Sequence, residues 1–293
     1  MRILVTGAQG MLGHEVVRVF EKAGHDVIAA DIMPEGTYLD ITEPTAIRKA
    51  LISERPDWLI NCAAYTNVDA CEDHEDQAFS LNAQGPEYLA QACSRFGVSL
   101  LHVSTDYVFD GTKNDPYSEH DLPHPINAYG RSKLAGEYAV RTGTREYIIV
   151  RPQWLFGIHG HNFVATIIEI ARNHEKIHVV NDQWGSPTYA NDLAKAMMML
   201  VELDARGTYH LCNRGRATWY DLAKKAVEFA ELDTEVVPVS SQEFPRPAKR
   251  PANSILSTKK FTEITGKLMP LWQISLEKYV QHYLVQSRKT SQA

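Results

Sequence analysis

Arg2-Ile3-Leu4-Val5-Thr6-Gly7-Ala8-Gln9-Gly10-Met11-Leu12-Gly13 opens the chain after Met1, and its reading decides the fold. A short apolar run ending on a glycine is the pattern of a buried parallel strand. Leu12, Val16, Val17 and Phe20 then recur at helical spacing, and Gly24 stops the helix. A strand, a glycine-rich turn and a helix in that order can hold a pyrophosphate. The glycines allow a tight turn and close backbone approach, and the helix N-terminus favours anionic oxygens. The spacing is GxxGxxG rather than the GxGxxG fingerprint, and a plain glycine-rich turn is the alternative. Dinucleotide binding is the expectation, because the first strand, the first helix and a downstream acid stand in the right order.

Working outward, strands alternate with helices. Val27 to Ala30 reads as a strand closed by Asp31, Ala46 to Leu51 as a helix, and Trp58 to Ile60 as a strand ending at Asn61. A long helical segment spans Asp76 to Phe96. Ser99 to Val103 is a strand that delivers Ser104 and Thr105 at its carboxyl end. Ala128 to Arg141 reads as a helix and Tyr147 to Val150 as a strand. This order predicts an α/β fold with a Rossmann-type doubly wound parallel sheet. Ligands of such sheets sit at the carboxyl ends of strands, where Gly7, Asp31, Ala63 and Thr105 fall.

Beyond about residue 155 the alternation loosens. Phe163 to Asn173, Asn191 to Leu203 and Thr218 to Glu231 read as helices, the last with Thr218 as N-cap. Asp182 to Pro187 and Pro245 to Pro251 read as loops, Glu277 to Val285 as a last helix, and the tail from Gln286 as frayed. The expected organisation is a dinucleotide-binding domain over residues 1–155, to which the chain returns around 176–212. Residues 156–293 are expected to be mainly a smaller, partly interleaved C-terminal substrate lobe.

Bulk composition narrows the function classes. The 293 residues are 44% hydrophobic and 23% charged, which argues against disorder and allows a sizeable core. A net charge of −6 argues against a general nucleic-acid or anionic-membrane binder. Cys62, Cys71, Cys93 and Cys212 are scattered and read as small buried residues in a reducing compartment. Neither a signal peptide nor a membrane span is expected, and a cytoplasmic location follows. The twelve histidines form no metal-ligand spacing, so no metal is assigned.

Asp31 ends the second strand 18 residues after Gly13. A carboxylate there can accept hydrogen bonds from ribose hydroxyls and would repel a 2′-phosphate, and Ile32 to Gly36 holds no arginine. The sequence leans toward NADH over NADPH, with an exposed loop acid as the alternative. Asn61 to Thr66 is rich in small residues that let a flat ring lie close to backbone, although tight packing explains them equally. Tyr129 and Lys133 are four apart and share a helix face. An ammonium beside a phenol lowers the phenol's pKa and suits it to proton transfer. Trp154 could floor a sugar or nicotinamide site, or simply pack in the core. Arg246, Lys249 and Arg250 cluster in a loop of an acidic protein and could meet phosphate oxygens or lie solvated.

With these residues in view, the chain resembles the extended short-chain dehydrogenase/reductase superfamily, through Thr6 to Gly13 and Tyr129-x-x-x-Lys133. More narrowly it resembles the dTDP-4-dehydrorhamnose reductase family over nearly its whole length. That resemblance rests on Asn61 to Thr66, Ser104 to Gly111, Tyr129 to Glu137, Arg151 to Gly157, Asp182 to Thr188 and Arg250 to Ser254.

The resemblance implies reduction of the C4 ketone of dTDP-4-dehydro-L-rhamnose to dTDP-L-rhamnose for cell-surface polysaccharide. Carried over by position, Gly10, Met11, Leu12, Asp31, Asp40, Ile41, Ala63, Ala64, Tyr65 and Val103 would line the cofactor, with Tyr129 and Lys133. Thr105, Asp106 and Trp154 would face the sugar. The implied catalytic set is Tyr129, Lys133 and Thr105, the threonine standing where many relatives have serine. Members often accept both NADH and NADPH. Some depend on magnesium at a subunit contact, which makes magnesium and a homodimer possible without support from this sequence. A nucleotide-sugar epimerase or dehydratase of the same superfamily is the nearest alternative. A non-catalytic NAD(P)-binding regulatory subunit is another, since relatives regulate methionine adenosyltransferase.

Overall fold

The computed structural model describes residues 1–33 and 36–290, the side chains of 287–290 excepted. Seven strands form the central sheet: β1 (Arg2–Thr6), β2 (Asp26–Asp31), β3 (Thr37–Tyr38), β4 (Trp58–Asn61), β5 (Ser99–Val103), β6 (Tyr147–Arg151) and β7 (Gly207–His210). Their order is β7-β6-β5-β4-β1-β2-β3, and every pairing is parallel. The expected doubly wound parallel sheet is what the chain forms.

Side-chain alternation along β1 explains the layering. Ile3 and Val5 enter a core with Val16 and Phe20 of the helix Met11–Lys22 and with Leu193 and Met197 of the helix Ala190–Glu202. Leu4 enters the opposite core with Ile47 and Leu51 of Pro44–Glu54 and Leu89 of Gly85–Phe96. With both faces covered, β1 reads as a continuous apolar run. The chain leaves β1 toward β2 and β3 and resumes on its other side at β4. That reversal opens the crevice where sheets of this kind bind ligands.

A third core gathers Phe156, Ile168, Ile177, Val179, Leu222, Trp272 and Leu276. It packs a parallel strand pair, Lys176–Val180 with Glu235–Val239, against the helices Phe163–Ala171 and Trp219–Phe229. The predicted N-cap is present: Thr218 Oγ1 accepts from Asp221 N at 3.1 Å, and Asp221 Oδ2 accepts from Thr218 N at 2.9 Å.

Several boundaries differ from the sequence reading. Within the segment 176–212, Ala190–Glu202 packs on the sheet and Gly207–His210 joins its edge, while Ile177 and Val179 turn into the third core. The Asp76 to Phe96 segment is broken by a π turn at Ser80–Gln84. The last helix runs Trp272–Thr290, beginning where Trp272, Leu276 and Tyr279 bury one stripe, and it includes residues 286–290 that were expected to fray. Residues 291–293 of that tail lie outside the described residues.

Candidate active site

The glycine turn is built by close approach. Gly7 has φ +67°, and a Cβ there would lie 2.5 Å from Ala63 N, just past β4. At Gly13 a Cβ would meet Gly7 O at 2.0 Å. Backbone from β1, β4 and the helix Met11–Lys22 therefore packs without side chains between. No acidic side chain occupies that helix's first turn, so its N–H groups stay favourable to an anion. A turn packed this closely, beside an open helix N-terminus, suits a dinucleotide pyrophosphate.

Two adjoining cavities open over this turn and share Gly10, Cys62 and Ala64 in their linings. The first, about 590 Å³, is lined by Gly7, Asp31, Asp40, Ile41, Ala63 and Ser80 among others. Its described lining contains no lysine or arginine. Asp31 Oδ2 accepts from Gln9 N at 2.9 Å, and its Oδ1 accepts from Ile32 N at 2.8 Å and Met33 N at 3.3 Å. Pro34 and Glu35, within the stretch Ile32 to Gly36, lie outside the described residues. The second cavity, about 500 Å³, brings Gly10, Met11, Leu12 and Gly13 together with Val103, Thr105, Asp106, Tyr129, Lys133 and Trp154.

The helix Ala128–Gly143 carries Tyr129 and Lys133. Asn127 starts it, its Oδ1 accepting from Gly130 N at 2.7 Å. At Gly130 a Cβ would lie 2.2 Å from Tyr107 O, and at Gly136 a Cβ would lie 2.1 Å from Asn82 O. The helix thus presses on the turn Asp106–Val108 and on the π turn. Asn82, fully buried, donates to Ser132 Oγ and Tyr65 O, each at 3.0 Å, and accepts from Tyr65 N at 2.8 Å. The sequence reading missed Asn82. A π turn inside a helix is often a functional marker, but periodicity does not reveal it.

Lys133 Nζ donates to Val103 O at 2.6 Å. Burial lowers its pKa to about 8, partly opposed by the Glu137 carboxylate. The Tyr129 phenol is hydrogen-bonded to Thr105, and burial pushes its pKa above the ordinary phenol value. The sequence reading expected the opposite direction. Dehydration of the buried ring outweighs its hydrogen bond to Thr105, and the Asp106 carboxylate adds to the rise. Asp106 accepts from Thr105 Oγ1 at 3.1 Å and from Gln153 Nε2 at 3.3 Å. Its burial raises its pKa to about 6, offset in part by bonds from Ser254, Thr105 and Gln153. Gln153 was another residue the sequence did not reveal.

The Trp154 ring stacks on Trp219 at 3.7 Å and packs on the Gly185 backbone, where a Cβ would lie 2.4 Å from ring Cε2. Trp219 escaped the sequence reading, although it directly follows the predicted N-cap. Tyr65 lines neither cavity and packs with Cys71, Ala78 and Ala128. Arg250 pairs with Asp69 and with the Tyr107 phenol. It lines an adjoining groove of about 450 Å³ with Arg246 and Phe244, which meets the second cavity at Tyr107, Phe163 and Trp219. No group of three or more His, Cys, Asp or Glu side chains able to hold a metal ion occurs among the described residues. No helix among them is long and apolar enough to cross a membrane.

A nucleotide cradle beside a Tyr-x-x-x-Lys pair, on a doubly wound parallel sheet, defines an enzyme of the short-chain dehydrogenase/reductase class. The model of the RmlD substrate binding domain family matches residues 1–285, and the chain belongs to that family. It is 42% identical over 284 residues to a dTDP-4-dehydrorhamnose reductase of Mycobacterium tuberculosis, covering 94% of this chain and 91% of that one. It is 38% identical over 280 residues to the spore coat polysaccharide biosynthesis protein SpsK of Bacillus subtilis, covering 96% and 97%. Among solved structures, the dTDP-4-dehydrorhamnose reductase of Bacillus anthracis in complex with NADP superposes with a TM-score of 0.92 at 39% identity, covering 96% and 99%.

Proposed function

We propose that this protein reduces the C4 ketone of dTDP-4-dehydro-L-rhamnose to dTDP-L-rhamnose with NADH or NADPH. The observation that carries the reading is a single cavity lined both by the pyrophosphate turn, Gly10 to Gly13, and by Thr105, Tyr129 and Lys133. The names of the relatives support the substrate class. When bound, the nicotinamide supplies hydride to the carbonyl carbon.

The chain's own residues do the rest. Tyr129 gives its proton to the ketone oxygen as negative charge builds there. A phenol that burial keeps protonated through neutral pH is suited to donating, and the developing alkoxide is the base that takes the proton. Thr105 holds the phenol and the ketone oxygen within bonding range of each other. Lys133 presents the buried cation that steadies the nicotinamide ribose and the charge left on Tyr129. Asp106 accepts from a sugar hydroxyl, the Trp154–Trp219 stack walls the sugar, and Arg250 with Arg246 meets the diphosphate. Asp31 takes the adenosine ribose hydroxyls and favours NADH. In this reading residues 1–155 with the returning segment form the dinucleotide-binding domain, and the remainder is mainly the substrate lobe.

The test is spectrophotometric. Adding dTDP-4-dehydro-L-rhamnose to protein and NADH should consume one NADH per sugar at the nicotinamide band. Turnover of the sugar with NADH untouched would indicate an epimerase or dehydratase and reject the proposal.

A further inference from the structure

Glu137 stands one helical turn beyond Lys133 and is fully buried. Its carboxylate accepts two bonds from the Arg151 guanidinium, at 2.7 and 2.6 Å, one from Arg141 at 2.8 Å, and one from the Ser104 hydroxyl at 2.6 Å. Arg151 is buried as well and stands over the Phe109 ring at 5.1 Å. The partners come from separate segments. Ser104 lines the cavity and directly precedes Thr105 after β5, and Arg151 ends β6 just before Pro152, Gln153 and Trp154, which line it too. Two main-chain bonds join the same segments, Ser104 N to Val150 O at 2.7 Å and Asp106 N to Pro152 O at 3.0 Å.

Glu137, Arg141 and Arg151 do not line the catalytic cavity themselves. A buried ion pair contributes little net stability compared with packed apolar side chains. Its best-attested use is to select one arrangement over near alternatives. We propose that Glu137 is a positioning residue of the reductase site: its carboxylate fixes the register of the helix Ala128–Gly143 against the ends of β5 and β6, and with it the placement of Thr105 opposite Tyr129 and Lys133. This inference rests on the reductase reading above.

Charge gives the arrangement a second effect. Lys133 faces Glu137 on its own helix, which also carries Tyr129 one turn earlier, His102 on β5 and Cys62 after β4, with Arg151 and Arg141 beyond Glu137. Burial draws the ammonium toward its neutral form, and Glu137 opposes that most strongly. Neutralising Glu137 removes this support and leaves the Arg151 guanidinium uncompensated, so Lys133 loses its proton at lower pH.

The experiment measures NADH oxidation by dTDP-4-dehydro-L-rhamnose across pH for the full-length wild type, Ser104→Ala and Glu137→Gln, with folding followed by circular dichroism. Ser104→Ala removes one tether and no charge. Its kcat should fall roughly 10- to 100-fold, with NADH affinity retained. Glu137→Gln keeps an acceptor for Ser104 but loses the charge, and the alkaline limb of its kcat profile should move about one pH unit lower. If Glu137→Gln does not fold, Ser104→Ala decides alone. Wild-type kcat in Ser104→Ala overturns the inference, as does an unmoved pH profile in folded Glu137→Gln. A wild type that consumes no NADH overturns the reductase reading instead.

Discussion

Asp31→Asn is the substitution that most directly tests how this site chooses its cofactor. The Asp31 carboxylate accepts main-chain N–H bonds from Gln9, Ile32 and Met33. Alanine would leave those donors without their acceptor, whereas asparagine keeps one acceptor oxygen and a nearly identical shape. The wall around it holds a second acid, Asp40, and no described cation. A 2′-phosphate about 5 Å from the carboxylate, at an effective dielectric near 20–40, is repelled by about 2–3 kcal/mol per unit charge. Salt and partial exposure cut that to about 1–2 kcal/mol. Losing the charge-assisted bond to the ribose hydroxyls costs NADH about 1 kcal/mol more. The two effects add to about 2–3 kcal/mol in the ratio of kcat/KM for NADPH to that for NADH, which should rise roughly 30- to 160-fold. The assay is initial-rate NAD(P)H oxidation with the keto-sugar nucleotide, beside a thermal melt to show that the turn still folds. A folded variant whose ratio stays within about twofold of wild type would refute the electrostatic argument.

Two further outcomes test the chemistry. Tyr129→Phe should lower turnover by ~10²–10⁴-fold, while NADH still binds by fluorescence titration; near-normal turnover would remove Tyr129 as proton donor. Asp106, with its pKa raised to about 6, is ionised and able to accept a sugar hydroxyl above that pH and is protonated below it. Wild-type kcat/KM for the sugar should therefore fall as pH drops through about 6, and Asp106→Asn should be weak and flat there; a variant that keeps the wild-type acid limb would assign that limb elsewhere.

The dinucleotide half of the fold was legible because its signals are local. The run from Arg2, the stop at Asp31 and the strand Ser99–Val103 follow from apolar runs bounded by turn residues. β3 escaped because two residues carry no periodicity. β7 escaped because Gly207-Thr208-Tyr209-His210 is no apolar run, and its place at the sheet edge is decided by β6 beside it. The Tyr129–Lys133 pair could be read from spacing, but the rise in the phenol's pKa depends on burial and on the Asp106 carboxylate, which come from other parts of the chain. Asn82, Gln153 and the Glu137–Arg151 pair were hidden for the same reason. Each is defined by a partner brought near only by folding.

Gly130 and Gly136 leave two bare places on a helix that must aim a phenol. Interior glycine weakens a helix by roughly 0.5–1 kcal/mol relative to alanine at each site. Left to itself this segment would be a poor helix. Its helical form is held by the neighbours that crowd against those gaps. Mutations in those neighbouring turns, distant from any reacting atom, should therefore be felt as misdirected protons before they register as unfolding.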